Sequence, residues 1–141
     1  MRIYIACHSK ESATDFAETV PEWVSVVSRW HSKEFLPTDN HTESERYAIA
    51  IEDANDIRRA DALVLIAGDE KYSGGKFVEA GIAYGLGKPV YVVGRRENML
   101  TYLFEPWPEE WRSVVKSSAP DGAVWEIESD LINGMPRKGK K

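Results

Sequence analysis

One stretch of this 141-residue sequence combines residue types that could carry out chemistry on an anionic ligand. It begins Ser73-Gly74-Gly75, and Glu79 follows four residues after the second glycine. Paired glycines let the backbone approach a ligand closely, and N–H groups at the start of a helix favour a phosphate. The ordinary alternative is a plain turn between a strand and a helix, because the spacing matches neither the dinucleotide fingerprint nor a P-loop.

Glu79 is the candidate reactive group of this stretch. Its neighbours are small or apolar, namely Val78, Ala80, Gly81 and Ala83. Such surroundings raise the pKa of a carboxyl group unless a partner offsets the effect. A carboxylate placed there can attack an anomeric carbon or carry a proton. The competing interpretation is a solvent-facing residue in the first turn of a helix, where the helix dipole favours negative charge.

A second acidic set lies near the middle of the chain and consists of Asp53, Asp56 and Asp61. Asp53 and Asp56 are three residues apart, so both can share one face of a helix. Arg58 and Arg59 are close enough in sequence to pair with these acids. The ordinary interpretation is a solvated helix face with ion pairs, and for Asp61 a structural role before the next strand is favoured.

Composition narrows the range of partners. The net charge of −5 argues against a protein whose main partner is a nucleic acid. His8, His31 and His41 lack the spacing of metal ligands, so neither a metal nor another cofactor is expected. The single cysteine, Cys7, excludes an internal disulfide and fits a reducing, cytoplasmic setting. No run approaches 18 apolar residues, so no membrane span is expected.

The pattern of apolar residues predicts strands and helices in alternation. Strands are predicted over residues 2–6, 24–30, 62–67 and 89–94, with a late strand over 122–127. Helices are predicted over residues 9–20, 42–60 and 76–86, with short helices over 97–103 and 108–115. Residues 31–41 and 68–75 are expected to be loops. Thr42, followed three residues later by Glu45, predicts a capping box.

This alternation is typical of a single doubly wound α/β domain, flavodoxin-like or Rossmann-like, with a parallel sheet of about five strands. We expect the domain to cover residues 1–135 and the basic tail, 136–141, to be disordered. Ligands of such sheets bind outside the carboxyl ends of the strands. Here those ends hold His8, Lys10, Trp30, the glycine-rich stretch and Asn98. Trp30 and Tyr72 could stack on a base there, or could equally be core residues.

Taken together, three segments resemble the nucleoside 2-deoxyribosyltransferase family, including its nucleotide N-glycosidase relatives. The first is the strand and loop over residues 1–10. The second, residues 53–66, begins Asp-x-x-Asp-Ile-x-x-Ala-Asp and leads into the central strand. The third, residues 73–90, reads Ser-Gly-Gly-x-x-Val-Glu-x-Gly-x-Ala-x-x-x-Gly-Lys-Pro-Val and is the most specific. The resemblance covers roughly residues 1–104.

The resemblance implies a mechanism and its residues. Glu79 would be a nucleophile that attacks C1′ of a deoxyribose and releases the base. Asp53 would donate a proton or contact the sugar, and Tyr4 would orient Glu79. A neighbouring subunit often completes the pocket in this family, so the resemblance implies a homodimer or larger homo-oligomer. The candidates for that contact are Arg95, Arg96 and Asn98.

Ser73 bears on the substrate. Family members that act on free nucleosides usually carry an aspartate six residues before the nucleophile, whereas relatives that hydrolyse 5′-monophosphates have serine there. Together with Gly75 and Lys10, Ser73 therefore favours a nucleoside 5′-monophosphate. The first loop, including His8, lacks the glycines that some hydrolase relatives have.

Three alternatives remain. The fold also suits a non-catalytic nucleotide-binding module, and an NAD-cleaving signalling enzyme would also use a glutamate in an α/β domain. A receiver-like signalling domain ranks lowest, because it needs an acidic pair after the first strand. That strand instead runs into Cys7-His8-Ser9, and Asp69 after the central strand is insufficient alone.

Overall fold

The fold is built on a parallel β-sheet. A computed structural model describes residues 1–31, 41–68 and 74–111. Its strands are β1 (Arg2–Ala6), β2 (Ser25–Val26), β3 (Ala62–Ala67), β4 (Val90–Gly94) and β5 (Glu105–Pro106). Its α-helices are α1 (Lys10–Ala17), α2 (Glu43–Arg59) and α3 (Gly75–Gly85), and two 3₁₀ helices cover Met99–Leu103 and Glu109–Trp111.

The strand order is β2-β1-β3-β4-β5, and every neighbouring pair is parallel. The order along the sheet reverses between β1 and β3, since the chain moves outward to β2 before returning to β3. In a doubly wound sheet this reversal opens a crevice at the carboxyl ends of the two central strands. Within the described residues, the predicted α/β class with a parallel sheet of about five strands is confirmed.

Side chains of the central strands alternate between two apolar layers. Every residue of β3 is buried, as expected for a strand covered on both faces. One layer holds Ile3 and Ile5 of β1 with Phe16 of α1. The other holds Tyr4 of β1 with residues of α2 and α3, including Ile57, Ala80 and Ala83. This alternation places Tyr4 on the face of the sheet that α2 and α3 cover.

Local sequence signals set the bounds of α2. The predicted capping box is confirmed, because the Thr42 hydroxyl accepts from the Glu45 amide at 3.2 Å and the Glu45 carboxylate accepts from the Thr42 amide at 2.8 Å. At the other end, the Lys88 ammonium donates to the carbonyls of Ala60 (2.5 Å) and Arg58 (2.9 Å). A cation there satisfies helix-terminal carbonyls and complements the helix dipole. Lys88, part of the Gly-Lys-Pro-Val motif, therefore stabilises the fold.

The predicted strand over residues 24–30 is wrong beyond Val26. The Val27 amide still donates to the Ile3 carbonyl at 2.8 Å, but the next pairings along β1 use side chains. The Ile5 amide donates to the Ser28 hydroxyl at 3.1 Å, and the Trp30 indole donates to the Ile5 carbonyl at 2.7 Å. Because these side chains satisfy the backbone of Ile5, the ladder ends early without leaving the amide or carbonyl of Ile5 unpaired.

The remaining elements match the predictions in part. The short helix predicted over 97–103 is a 3₁₀ helix, and only Glu109–Trp111 of the one predicted over 108–115 is described. β5 has two residues, too few for a strand pattern in the sequence. Most of both predicted loops, the strand over 122–127 and the tail over 136–141 lie outside the described residues. Within the described ranges, no helix is long and apolar enough to cross a membrane.

Candidate active site

A partly buried hydrogen bond joins two of the predicted catalytic residues. The Tyr4 hydroxyl donates to Glu79 Oε2 at 2.7 Å, although the two residues are 75 positions apart. Tyr4 is completely buried in the layer beneath α3, and Glu79 is partly buried one turn into that helix. The solvent-facing interpretation of Glu79 is therefore wrong, and the orienting role expected of Tyr4 has the geometry it requires.

Burial changes the charge state of this pair. It raises the pKa of Glu79 to about 7, while the hydrogen bond from Tyr4 opposes the rise and the nearby charge of Asp53 adds to it. Burial also raises the pKa of Tyr4, with further increases from the charges of Glu79 and Asp53. The Tyr4 hydroxyl consequently stays protonated as a donor, and Glu79 is divided between its acid and carboxylate forms near neutral pH.

Asp53 completes the group from a third element. It lies on α2 and is close enough for its charge to raise the pKa of both Glu79 and Tyr4. β1, α2 and α3 thus bring together the three residues expected to be catalytic. Two carboxyl groups with different surroundings can divide acid and nucleophile roles between them.

Asp56, one turn after Asp53, has a different role from the one expected. It is completely buried rather than part of a solvated helix face. It accepts hydrogen bonds from Arg29 Nη2 at 2.7 Å and Arg59 Nη2 at 2.9 Å, and Glu52 pairs with Arg29 at 3.3 Å. Although burial alone would raise the pKa of Asp56, the two arginines hold it below its ordinary value. This network fixes the segment after β2 against the helix that carries Asp53.

Asp61 lies just before β3, at the amino end of the parallel strands and so opposite the end where ligands are expected. It accepts from the Arg2 amide at 2.8 Å and pairs with the Arg2 guanidinium at 3.1 Å. Hydrogen bonds from Arg2 lower the pKa of Asp61 to about 2. The structural role predicted for this residue is confirmed, since the contact joins the starts of β1 and β3.

The loop after β1 forms another side of the site. His8 is partly exposed, but its Nδ1 atom is buried and has no hydrogen-bond partner among the described residues. Lys10 begins α1 and lies near His31, whose pKa is lowered by burial and then by the Lys10 charge. His31 Nε2 lies 2.8 Å from the Ser28 hydroxyl. His8 and Lys10 therefore lie just beyond the carboxyl end of β1, where the sequence predicts them.

Trp30 also lies at this edge. Its indole N–H is bonded to the carbonyl of Ile5, one residue before the end of β1, and its ring meets that of His31 edge-on at 5.2 Å. The ring is partly buried and packs against both apolar layers. Trp30 is thus held in one orientation at the carboxyl end of β1.

The start of α3 is open to an anion. Gly74 is the N-cap and brings no side chain to the first N–H groups, and the first turn from Gly75 carries no acid. A Cβ built on Gly74 would meet no described atom within 4 Å. Ser73 and Tyr72, the other candidates of this stretch, lie outside the described residues.

The loop after β4 is held by its own contacts. The Asn98 side chain accepts from the amides of Leu100 (3.0 Å) and Thr101 (3.2 Å), so it caps the first 3₁₀ helix. Arg96 donates to the Thr101 carbonyl and lies over the Tyr102 ring at 5.2 Å. Asn98 and Arg96, both expected as ligand or subunit contacts, therefore shape this loop.

Sequence reasoning missed Lys76 in the first turn of α3. Its side chain is only 1% exposed, and its ammonium lies 2.8 Å from Glu97 Oε1. The contact is an ion pair rather than a well-aligned hydrogen bond. A lysine in a first helical turn is usually solvated, so no local pattern signals its burial.

Within the described residues, no three His, Cys, Asp or Glu side chains cluster closely enough to hold a metal.

We expect Glu79→Gln to stabilise the protein at alkaline pH. The folded-state pKa of about 7 exceeds the ordinary 4.5, so the free energy of unfolding falls as pH rises through that window. Glutamine avoids the buried charge and keeps an oxygen for Tyr4. Urea unfolding should show a gain of up to about 3 kcal/mol at pH 8.5 and little gain at pH 4.5. Exposed Glu22→Gln is the control, and an equal gain at both pH values would contradict the prediction.

Comparisons with known proteins give one family match and two structural neighbours. A family model described as nucleoside 2-deoxyribosyltransferase matches residues 3–135. Two solved structures are similar, both with a TM-score of 0.49. One is the CMP N-glycosidase BcmB of Clostridium botulinum, with 19% identity over 70% of this chain and 74% of that chain. The other is a conserved protein from Enterococcus faecalis V583, with 17% identity over 73% of this chain and 70% of that chain. No curated protein matches the sequence.

The family match spans nearly the whole chain and includes Tyr4, Asp53 and Glu79. It coincides with a doubly wound sheet in which β1, α2 and α3 bring these three residues together. The chain therefore belongs to the nucleoside 2-deoxyribosyltransferase family, and it is an enzyme of the N-glycosidase or 2-deoxyribosyltransferase type.

Proposed function

We propose that the protein cleaves or exchanges the N-glycosidic bond of a 2′-deoxynucleoside 5′-monophosphate, or of the deoxynucleoside. Glu79 is the nucleophile, and the reaction passes through a covalent deoxyribosyl-enzyme intermediate. The observation that carries the proposal is the partly buried hydrogen bond of 2.7 Å from Tyr4 to Glu79, with the charge of Asp53 close by. A structural glutamate in the first turns of a helix needs neither partner.

In the first step, a Glu79 oxygen forms a bond to C1′ while the bond from C1′ to the base nitrogen breaks. The bonding electrons leave with the base, which takes up a proton from solvent, while ionised Asp53 contacts the sugar. The transition state resembles an oxocarbenium ion, as in retaining glycosidases, so a nearby carboxylate stabilises it. Tyr4 binds Oε2 and fixes the carboxylate plane, which leaves Oε1 for the attack.

In the second step, an acceptor attacks C1′ from the face that the base has left, and the Glu79–sugar bond breaks. Water as the acceptor gives hydrolysis, and a second base gives transfer. Ionised Asp53 can then take the proton of the acceptor. The balance between the two outcomes depends on how well the closed site excludes water.

Three features support a monophosphate as the substrate. The N-terminus of α3 has neither a side-chain cap nor an acid in its first turn. Lys10 lies at the same edge of the sheet, and Ser73 replaces an aspartate that would repel phosphate. The buried Nδ1 of His8 is a further polar contact for the substrate, and Trp30 supplies an aromatic wall for the base.

Base release tests the proposal directly. The protein is incubated with each deoxynucleoside monophosphate, each deoxynucleoside and NAD, and free base is measured by chromatography. We expect release from at least one deoxynucleotide, and Glu79→Gln should lower the rate by roughly 10³-fold or more, because the covalent step is lost. Nucleotide binding without base release would favour a binding module, and nicotinamide release would favour an NAD-cleaving enzyme. Exposed Glu22→Gln should retain full activity.

The acid side of the pH profile should report Glu79. Attack requires the carboxylate, so kcat/KM should rise with a midpoint at pH about 7. Tyr4→Phe removes a hydrogen bond that lowers this pKa, so its midpoint should move upward and its activity should fall more at pH 6 than at pH 9. The control is Tyr84→Phe, which changes a half-exposed tyrosine on α3, the helix that carries Glu79. An unchanged midpoint in Tyr4→Phe would contradict the assigned role.

We also propose that the enzyme works as a homo-oligomer. Tyr47 and Ile51 of α2, and Val78 and Ile82 of α3, are exposed apolar pairs at helical spacing. Light scattering after size exclusion should give at least twice the chain mass of 15.9 kDa. Val78→Lys should lower the measured mass. A wild-type mass of one chain would contradict the proposal.

A further inference from the structure

Lys76 is unusual because its charged side chain is buried. The residue is 2% exposed, and its ammonium lies 2.8 Å from Glu97 Oε1 and 5.2 Å from the centroid of the Phe77 ring. Taking an ammonium out of water costs several kcal/mol, and a partner must offset that cost. Since hydrophobic residues in such a place stabilise equally well or better, the pair calls for an explanation other than stability.

The pair joins two elements that meet at the ligand edge. Lys76 follows Gly75 in the first turn of α3, and Glu97 lies in the loop after β4. That loop is also close to the end of β3, because a Cβ on Gly68, which has a φ of +94°, would lie 3.2 Å from the Arg95 amide nitrogen. The ion pair therefore fixes the open helix start relative to the end of β4.

The pair is separate from the catalytic contact. Lys76 and Glu79 are three residues apart and neighbours on the helix surface, yet the Lys76 ammonium pairs with Glu97 and Glu79 pairs with Tyr4. The start of α3 is thus held by the β4 loop, and its second turn is held by β1. A change in the first contact can move the helix start while the Tyr4–Glu79 bond persists.

We propose that Lys76 and Glu97 are positioning residues whose ion pair sets the affinity for the phosphate end of the substrate. The pair holds the Gly74–Gly75 amides in register with the loop that carries Arg95. This inference rests on the proposed function, since it deepens the assignment of a monophosphate substrate. Recognition of the phosphate then depends on the Lys76–Glu97 pair, and cleavage of the glycosidic bond depends on Tyr4 and Glu79.

The test uses Lys76→Met combined with Glu97→Gln, which removes both charges and leaves neither one buried alone. For the best deoxynucleoside monophosphate, KM should rise about tenfold while kcat stays within threefold. KM for the matching deoxynucleoside should be unchanged. The control is Arg2→Met with Asp61→Asn, which removes the ion pair at the opposite edge of the sheet and should leave both KM values unchanged.

A second readout does not need turnover. Thermal shifts with 2-deoxyribose 5-phosphate should show affinity for the wild type and a loss of at least tenfold in the double variant, but not in the control. This holds even if no base is released, so failure of the proposed reaction is distinguishable from failure of the inference. Equal phosphate affinity in wild type and double variant, or none in the wild type, would overturn it.

If the double variant does not fold, Glu97→Asp takes its place. It keeps both charges and draws the carboxylate back by one methylene. The same thermal-shift assay should then show about a threefold weaker affinity for 2-deoxyribose 5-phosphate. An affinity equal to that of the wild type would overturn the inference as well.

Discussion

A hydrogen bond between Tyr4 and Glu79 can form only because the sheet places β1 beside β3. Glu79 enters on the helix that follows β3, and Tyr4 points to the same face because side chains alternate along a strand. A shift of β1 by one residue would turn Tyr4 to the α1 side and leave the glutamate without its donor. The parallel register of β1 with β3, Tyr4 opposite Leu63, is therefore the constraint on which the site depends.

Burial makes Glu79, the proposed nucleophile, a source of instability. Because its pKa is raised, ionisation of Glu79 at neutral pH lowers the free energy of unfolding, and other parts of the molecule must compensate for that loss. The fully buried β3, the capping box at Thr42 and the Lys88 contacts at the end of α2 all stabilise the same scaffold. Enzymes commonly hold a destabilising reactive group on rigid elements in this way.

Polar side chains complete the scaffold where regular structure ends. β2 stops after two residues, and Ser28 and Trp30 then satisfy the backbone of Ile5. Arg29, between them, anchors the segment to buried Asp56 on α2. The same short segment thus touches β1 next to Tyr4 and α2 next to Asp53. It links two of the elements that surround Glu79.

Patterns local in the chain determined the fold class and the strongest motif. The apolar run of β3, the capping box at α2 and the glycines before Glu79 are all visible within a few residues, because short-range sterics and hydrogen bonding produce them. Only the tertiary structure decided which charges are buried: Asp56 and Lys76 look like solvated helix residues in sequence, but Arg29 and Glu97, distant in the chain, pair with them. The bond between Tyr4 and Glu79 combines both levels. Its residues could be named from sequence, while their distance and the raised pKa of Glu79 follow from packing that no local pattern contains.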